Sequence, residues 1–227
     1  MMGSQIRVDV TRPLATVQLD APTRDAALDA AGWRLLAEAF EALSERADVQ
    51  CVVVRGAGGR AISTGSEDSA FSPQTEEPSD VRAYSDAVSS ALRAVRACRH
   101  PTVAVIEGSC GGEGLDIAAC CDLRVCGESS RFGAPTDRAR PTTSEHDLGP
   151  LAQLLSGSPA LETLRSGALI DAEHARTVGL VNRVHPDQAV VEQGYGLAAR
   201  IAAGAPLVNR AHKKILRRLY GADLPVA

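Results

Sequence analysis

The chain has 227 residues, of which 44% are hydrophobic, 23% are charged and only 3% are aromatic. This length suits a single domain, and the composition predicts a core of Ala, Val, Leu and Ile. The net charge of -4, spread without long runs of like charge, gives no electrostatic footprint for a nucleic acid or an anionic membrane. No apolar stretch approaches the roughly 20 residues that cross a bilayer, and the sequence does not open with a signal-peptide pattern. We therefore expect neither a nucleic acid nor a membrane as a partner, and a cytoplasmic location.

The six cysteines form no CxxC pair that would suggest a metal site or a redox motif. Several lie inside apolar runs, where a free cysteine packs as a small hydrophobic residue. The sequence therefore predicts buried, reduced thiols and no metal at Cys51, Cys98, Cys110, Cys120, Cys121 and Cys126.

The first half of the chain predicts alternating strands and helices. Residues 6–19 indicate two short strands around the Arg12-Pro13 turn, and the spacing of apolar residues predicts a helix over 29–46. The continuous apolar run 50–55 is typical of a buried parallel strand. A polar loop follows, and then a helix over 81–97.

The second half begins with the apolar strand 102–106, which leads through a glycine-rich turn into a helix. A strand over 123–126 and a β-rich segment over 131–135 come next. Helices dominate from Gly149 onward, the last of them over 205–220. The alternation of strands and helices predicts an α/β core with right-handed crossovers.

The turn at 107–114 is the segment that says most about chemistry. Its glycines let a ligand approach the backbone closely, and unpaired N–H groups at a helix N-terminus attract negative charge. The spacing matches neither a P-loop nor GxGxxG, which argues against nucleotide binding. The run 58–68 also leaves the carboxyl end of an apolar strand, so both loops are expected at the ligand edge of an α/β sheet.

These residues resemble the motifs of a known family. The run 58–68 resembles the pattern G-x-x-F-S-A-G-x-D of the crotonase (enoyl-CoA hydratase/isomerase) superfamily. Residues 101–122 resemble its pattern P-x-x-A-x-x-G-x-x-x-G-G-G-x-E-L-x-x-x-C-D. Residues 131–135, 160–184 and 15–28 are similar to three further motifs of the family, and the resemblance covers nearly the whole chain.

The resemblance implies an α/β fold with a crotonase-like ββα spiral core. We expect this core over residues 1–190, followed by a short C-terminal helical segment over 191–227 that is truncated relative to the family. It also implies a homotrimer or a dimer of trimers.

The resemblance further implies an enzyme in which two backbone N–H groups polarise an acyl-CoA thioester and stabilise an enolate-like intermediate. By position, these donors are Ser66 and Glu113, the latter where the family has a glycine. Hydratases of the family use two glutamates. The first position is Asp116 here, and the second is Thr136, which cannot act as a carboxylic acid. Either Asp137 or the side chain of Glu113 is expected to compensate, unless one carboxylate suffices or the activity is lost.

In the same resemblance, coenzyme A is part of the substrate, and no separate cofactor or metal is implied. Its phosphates are expected near Arg24 and near Lys213 or Lys214. Further contacts with the acyl-CoA are expected from Ala26, Ile62, Thr64, Gly65, Asp68, Gly112, Pro135 and Thr136.

Several functions stay open at this point. Hydration or dehydration of an enoyl-CoA, as in fatty acid metabolism, is the leading reaction, and double-bond isomerisation is the next. Decarboxylation of an acyl-CoA in a biosynthetic pathway needs enolate stabilisation without paired glutamates, and Thr136 is compatible with it. A non-catalytic subunit that binds acyl-CoA or assists a partner would keep the fold without the chemistry.

Overall fold

The structure, a computed structural model, describes residues 5–20, 28–59, 62, 78–133, 145–155 and 168–219. Within these ranges the strands are β1 (Gln5–Thr11), β2 (Leu14–Asp20), β3 (Cys51–Gly56), β4 (Thr102–Ile106), β5 (Ser109–Gly111), β6 (Leu123–Gly127), β7 (Arg131–Gly133), β8 (Ile170–Asp171) and β9 (Arg183–His185). The helices are α1 (Ala30–Glu45), α2 (Pro78–Ala97), α3 (Gly112–Cys120), α4 (Glu145–Leu155), α5 (Ala172–Thr177), α6 (Val190–Ala202) and α7 (Pro206–Leu219). The predicted α/β fold is confirmed.

Six strands form the main sheet, in the order β1-β2-β3-β4-β6-β9. β1 and β2 are an antiparallel hairpin around the Arg12-Pro13 turn, and the other pairings in this sheet are parallel. The carboxyl ends of parallel strands meet at one edge of a sheet, where ligands bind in open α/β folds. The turns that follow β3 and β4 therefore lie at the same edge.

The central strands are covered on both faces, which explains their continuous apolar sequences. Along β3, the side chains of Val52 and Val54 face the cluster formed with α1 and α2, whereas Cys51 and Val53 face α6. The apolar side of α6 closes the second cluster with Val190, Leu197, Ala198 and Ala202. Residues 190–202 thus pack on the sheet with the core strands, and the division expected at residue 190 stays a prediction.

Helix α1 begins where the sequence predicts it. The side chain of Asp29 caps the helix by accepting a hydrogen bond from the backbone N–H of Gly32 at 2.7 Å. Its buried residues recur at helical spacing, and they include Trp33, Leu36, Phe40 and Leu43. This face packs against α2, and its buried residues belong to the larger core cluster on this side of the sheet.

A second, three-stranded sheet is not predicted by the sequence. β5 lies within the glycine-rich turn and pairs in parallel with β7, which pairs with β8 in the antiparallel sense. Strands of two or three residues are too short for alternation to reveal them. A Cβ on Gly133 in β7 would lie 2.8 Å from Cδ2 of Leu169 and 3.1 Å from the carbonyl oxygen of Ala168, so a larger residue would have to displace this neighbouring segment. This sheet fixes the direction in which α3 leaves the turn.

The prediction that the cysteines are buried and form no disulfide is confirmed, since all six are buried and free. Burial raises the pKa of the thiols of Cys51, Cys121 and Cys126 to about 12. No helix in the described parts of the chain is long and apolar enough to cross a membrane.

Candidate active site

The turns after β3 and β4 lie against each other at the carboxyl edge of the main sheet. An ion pair between Nη2 of Arg55 and Oε2 of Glu107, 2.8 Å apart, joins the two strand ends. Gly59 has a φ of 74°, which residues with a Cβ rarely adopt, and a Cβ on it would lie 3.7 Å from Oε1 of Glu107. The start of the first predicted turn, at Gly59, is therefore a neighbour of Glu107 at the start of the second.

The N-terminus of α3 opens at this edge, directly after β5. Gly111 is the N-cap, and because it has no side chain it leaves the N–H groups of the first turn uncapped. Gly112, with a φ of 47°, is the first helical residue. The N–H groups of the first turn have no partner within the helix and carry the positive end of its dipole. Glu113, the predicted oxyanion donor, lies in this turn. A helix start of this kind suits a negatively charged oxygen.

Asp116 lies one helical turn beyond Glu113 and is only 9% exposed. Residues three apart on a helix project from neighbouring positions on one face, so the two acidic side chains leave α3 on the same side. Burial, and then the negative charge of Asp116, raises the pKa of the Cys110 thiol in β5, so Asp116 lies close to Cys110.

The side chain of Glu113 is held by a residue that sequence reasoning missed. The hydroxyl of Tyr84, on α2, donates a hydrogen bond to Oε1 of Glu113 at 2.5 Å. Trp33 Nε1, on α1, donates to the same hydroxyl at 3.2 Å, and the carbonyl oxygen of Leu28 lies 3.3 Å from it. The signal in the sequence was a tyrosine on the buried face of a predicted helix, because a buried phenol requires a polar partner.

Of the other predicted site residues, Ile62 and Gly112 are described. Ile62 is 1% exposed and belongs to the core cluster that also contains Leu28 and Leu115. The remaining predicted positions of the site fall outside the described residues: Arg24, Ala26, Thr64, Gly65, Ser66, Asp68, Pro135, Thr136 and Asp137. β7 ends at Gly133, beside Gly111 in the register of β5, just before the last three of them.

The structure places Lys213 away from this edge, and the expected contact of Lys213 or Lys214 with a CoA phosphate stays a prediction. Its ammonium group lies 2.7 Å from Oδ2 of Asp122 and donates to the carbonyl oxygen of His100 at 2.9 Å. Asp122 immediately precedes β6, at the amino edge of the sheet, whereas the glycine-rich turn follows β4 at the carboxyl edge. Lys213 is 8% exposed and anchors α7 to the core.

Comparison with known proteins shows the family. Residues 10–225 match the family model described as enoyl-CoA hydratase/isomerase, and the chain belongs to this family. It is similar to a probable mitochondrial enoyl-CoA hydratase 2 of Arabidopsis thaliana, with 29% identity over 88% of this chain and 66% of the relative. It is also similar to a mitochondrial Delta(3,5)-Delta(2,4)-dienoyl-CoA isomerase of Dictyostelium discoideum, with 27% identity over 78% of this chain and 64% of the relative. The chain thus spans just under two thirds of the length of these curated relatives.

A solved structure supports the same conclusion about the fold. The crystal structure of an enoyl-CoA hydratase/carnithine racemase from Magnetospirillum magneticum matches with a TM-score of 0.89 and 38% sequence identity. The match covers 98% of this chain and 83% of that one. The fold class inferred from the motifs is therefore confirmed over nearly all of the chain.

Proposed function

We propose that this chain is an acyl-CoA enzyme that hydrates the double bond of an enoyl-CoA, with Asp116 as its base. The observation that carries the proposal is the placement of Asp116. It is a buried carboxylate on the first turns of α3, directly after a glycine-rich turn whose helix start can receive a negatively charged oxygen. One sheet edge thus has both a helix start that can stabilise a negative charge and, in Asp116, a carboxylate that can accept a proton.

The proposed chemistry uses the polarised thioester. The thioester oxygen accepts hydrogen bonds from the backbone N–H groups of Ser66 and Glu113, which stabilise the negative charge that develops on it. As the oxygen of water bonds to the β-carbon, Asp116 accepts a proton from that water. A second proton then reaches the α-carbon, which completes the hydration. Asp137 is one candidate to deliver this proton, because Thr136 has no carboxyl group.

Isomerisation is the second candidate, and one observation favours it. A shift of the double bond requires one group to remove a proton from one carbon and return it to another, so a single carboxylate is sufficient. The chain keeps a carboxylate at Asp116 and has Thr136 at the other expected position. The similarity to a dienoyl-CoA isomerase of Dictyostelium discoideum is in line with this alternative.

An apolar stripe on α7 supports the proposed homotrimer or dimer of trimers. The side chains of Leu207, Val208, Ile215, Leu216 and Leu219 are between 48% and 77% exposed. At 100° per residue they lie on one side of the helix, and Lys213 lies on the other, against the core. An apolar stripe of this size on a monomer is typical of an interaction surface. Light scattering should give the mass of three or six chains. A Leu219→Glu variant should form a smaller assembly, whereas the control Leu35→Glu, at an exposed position of α1, should keep the mass of the wild type.

The reaction is tested with purified protein and three readouts. Hydration of crotonyl-CoA or a longer 2-enoyl-CoA removes the absorbance of the conjugated thioester, and isomerisation of a 3-enoyl-CoA creates it. Decarboxylation of a carboxyacyl-CoA releases carbon dioxide. Loss of absorbance at rates typical of enzymes, about 1 to 1,000 per second, is expected. Thioester binding without turnover in all three assays would contradict the proposal and favour a non-catalytic subunit.

A further inference from the structure

We propose that the carboxyl group of Glu113 is the second proton-handling group of this site and that Tyr84 is the residue that positions it. The inference rests on the acyl-CoA chemistry proposed above and adds a specific role for a side chain at a position that the family fills with glycine. It is based on the hydrogen bond that the hydroxyl of Tyr84, on α2, donates to the carboxyl group of Glu113.

The contact between Tyr84 and Glu113 is short and directional. A phenol has one proton, and the 2.5 Å contact to Oε1 of Glu113 takes it in preference to the 3.3 Å contact with the carbonyl oxygen of Leu28. Oε1 accepts this bond both when the carboxyl group is ionised and when it carries its proton on the other oxygen. The side chain of Glu113 is therefore held in one orientation at the start of α3.

Tyr84 is itself held rigidly, which makes it suitable for positioning. Its side chain is 7% exposed and lies in the core between α1, α2 and α3. Trp33, fully buried on α1, donates its indole N–H to the tyrosine oxygen. A hydroxyl that is fixed by the packing of its ring and by the indole N–H of Trp33 has little freedom to move, so the carboxyl group to which it donates is preorganised.

The location of Glu113 fits a role at the reacting carbons. The Tyr84 hydroxyl lies beside Leu28, which directly follows the segment expected to contact coenzyme A, and beside the helix start that would receive the thioester oxygen. Asp116 is one helical turn away on the same face of α3. Two carboxyl groups from neighbouring positions can serve the two carbons of one double bond.

The proton balance of a hydration closes with these two groups. The oxygen of water bonds to the β-carbon while Asp116 takes one proton of that water. The carboxylic acid of Glu113 gives its proton to the α-carbon and becomes a carboxylate, which Tyr84 stabilises through its hydrogen bond to Oε1. Proton exchange with solvent then returns Asp116 and Glu113 to their starting states. Glu113 would thus supply what Thr136 cannot.

The test combines two variants at the pair with one matched control. Tyr84→Phe removes the hydroxyl and keeps the ring, and Glu113→Gln keeps the backbone N–H and the hydrogen-bond acceptor but cannot carry the proton. Tyr195→Phe is the control, because that hydroxyl bonds to Oγ1 of Thr16 at 2.9 Å on the α6 side of the sheet, away from the site. Hydration of crotonyl-CoA is followed for kcat, KM and pH–rate profile, together with thermal unfolding of each variant.

We expect Glu113→Gln to lower kcat by about 100-fold, since general acid catalysis contributes 100- to 10,000-fold. Tyr84→Phe should lower kcat by about 10-fold with KM within about threefold, because a misplaced group loses rate rather than affinity. It should also move one limb of the pH–rate profile, and Tyr195→Phe should leave kcat and the profile unchanged. The double variant should be no slower than Glu113→Gln, since both changes act through one group.

Three results would overturn the proposal. If Tyr84→Phe and Glu113→Gln keep kcat within about twofold of an active wild-type enzyme, the pair only stabilises the start of α3. If the two effects on kcat multiply in the double variant, Tyr84 does not act through Glu113. If the wild-type protein turns over no acyl-CoA, the proposed function fails, and this inference fails with it.

Discussion

The ammonium group of Lys213 lies 2.7 Å from the carboxylate of Asp122 and joins the last described helix to the amino edge of the main sheet. Asp122 also accepts hydrogen bonds from the backbone N–H and the hydroxyl of Thr102, so one carboxylate connects β4, β6 and α7. The carbonyl oxygen of His100 is the second acceptor for Lys213. A cation in this network stabilises the fold at the edge opposite to the site.

Replacing Lys213 should therefore affect stability and not substrate affinity. We expect Lys213→Met to lower the free energy of unfolding by about 2 kcal/mol. This is less than the loss at a fully buried pair, because Asp122 is 34% exposed and water reaches it. Denaturant unfolding measures this loss, with Arg218→Met, at an exposed position of the same helix, as control. An unchanged stability together with a raised KM for the acyl-CoA would show that Lys213 binds the CoA phosphates after all.

The packing of α6 on the sheet predicts opposite effects for two glycines of the same helix. A Cβ on Gly194 would collide with a methyl group of Val105 and lie 3.2 Å from Cγ2 of Val125, whereas a Cβ on Gly196 would meet only Nη1 of Arg200, at 3.6 Å. Gly194→Ala should destabilise by about 1 to 3 kcal/mol through overpacking. Gly196→Ala should stabilise by up to about 1 kcal/mol through helix propensity. Equal effects of the two variants on the unfolding midpoint would contradict this packing.

His100 predicts a loss of stability in mild acid. Burial, followed by the positive charge of Arg210, lowers its pKa from 6.5 to about 4, although its ring donates to the carbonyl oxygen of Leu43. Between these two values the unfolded chain binds a proton that the folded chain does not. Stability from this group is therefore complete above pH 6.5 and falls as the pH drops toward 4, by up to about 3 kcal/mol.

The matched variants for this prediction are His100→Gln and His212→Gln. Glutamine at position 100 can still donate to Leu43 but does not titrate, so its unfolding free energy should vary less between pH 4 and 6.5 than that of the wild type. His212 is exposed on α7, and its replacement should leave the pH dependence as it is. A steep wild-type slope that persists in His100→Gln would assign the effect to other groups.

The buried cysteines predict a native protein that resists thiol reagents. All six are buried, and burial raises the pKa of several of their thiols, so the reactive thiolate is scarce near neutral pH. Fewer than one thiol per chain should react with a chromogenic disulfide in the folded state, and all six should react in denaturant. Rapid labelling of a folded sample would show that one of these cysteines is accessible.

Helices and strands that bury a long apolar stripe could be predicted from the sequence, because the spacing of their apolar residues reveals the type of element. β4 has the predicted bounds, and α1 follows the predicted spacing of Trp33, Leu36 and Phe40. The sheet of β5, β7 and β8 could not be predicted, because each strand is two or three residues long and is held by pairing between distant segments. Glycine conformations depend on the same tertiary contacts.

For Glu113 and Asp116, the place on a helix start was predictable from the sequence and the side-chain contacts were not. The motifs indicated Glu113 and Asp116, and the structure places both on the first turns of α3. The hydrogen bond from Tyr84 to Glu113 joins residues 29 positions apart, and nothing local to either residue encodes it. Lys213 shows the same limit: the family resemblance suggested a phosphate contact for it or for Lys214, and Asp122, which holds it, becomes its neighbour only in the fold.

The most direct measurement for the central claim is kcat of Asp116→Asn on crotonyl-CoA, taken together with its affinity for a non-reactive acyl-CoA thioester. Asparagine keeps the shape and polarity of the side chain but cannot accept the proton. If Asp116 is the base, kcat should fall by about 100- to 10,000-fold while the dissociation constant changes by less than about threefold. Turnover that persists in Asp116→Asn would contradict the account, because the proton would then be handled by another group.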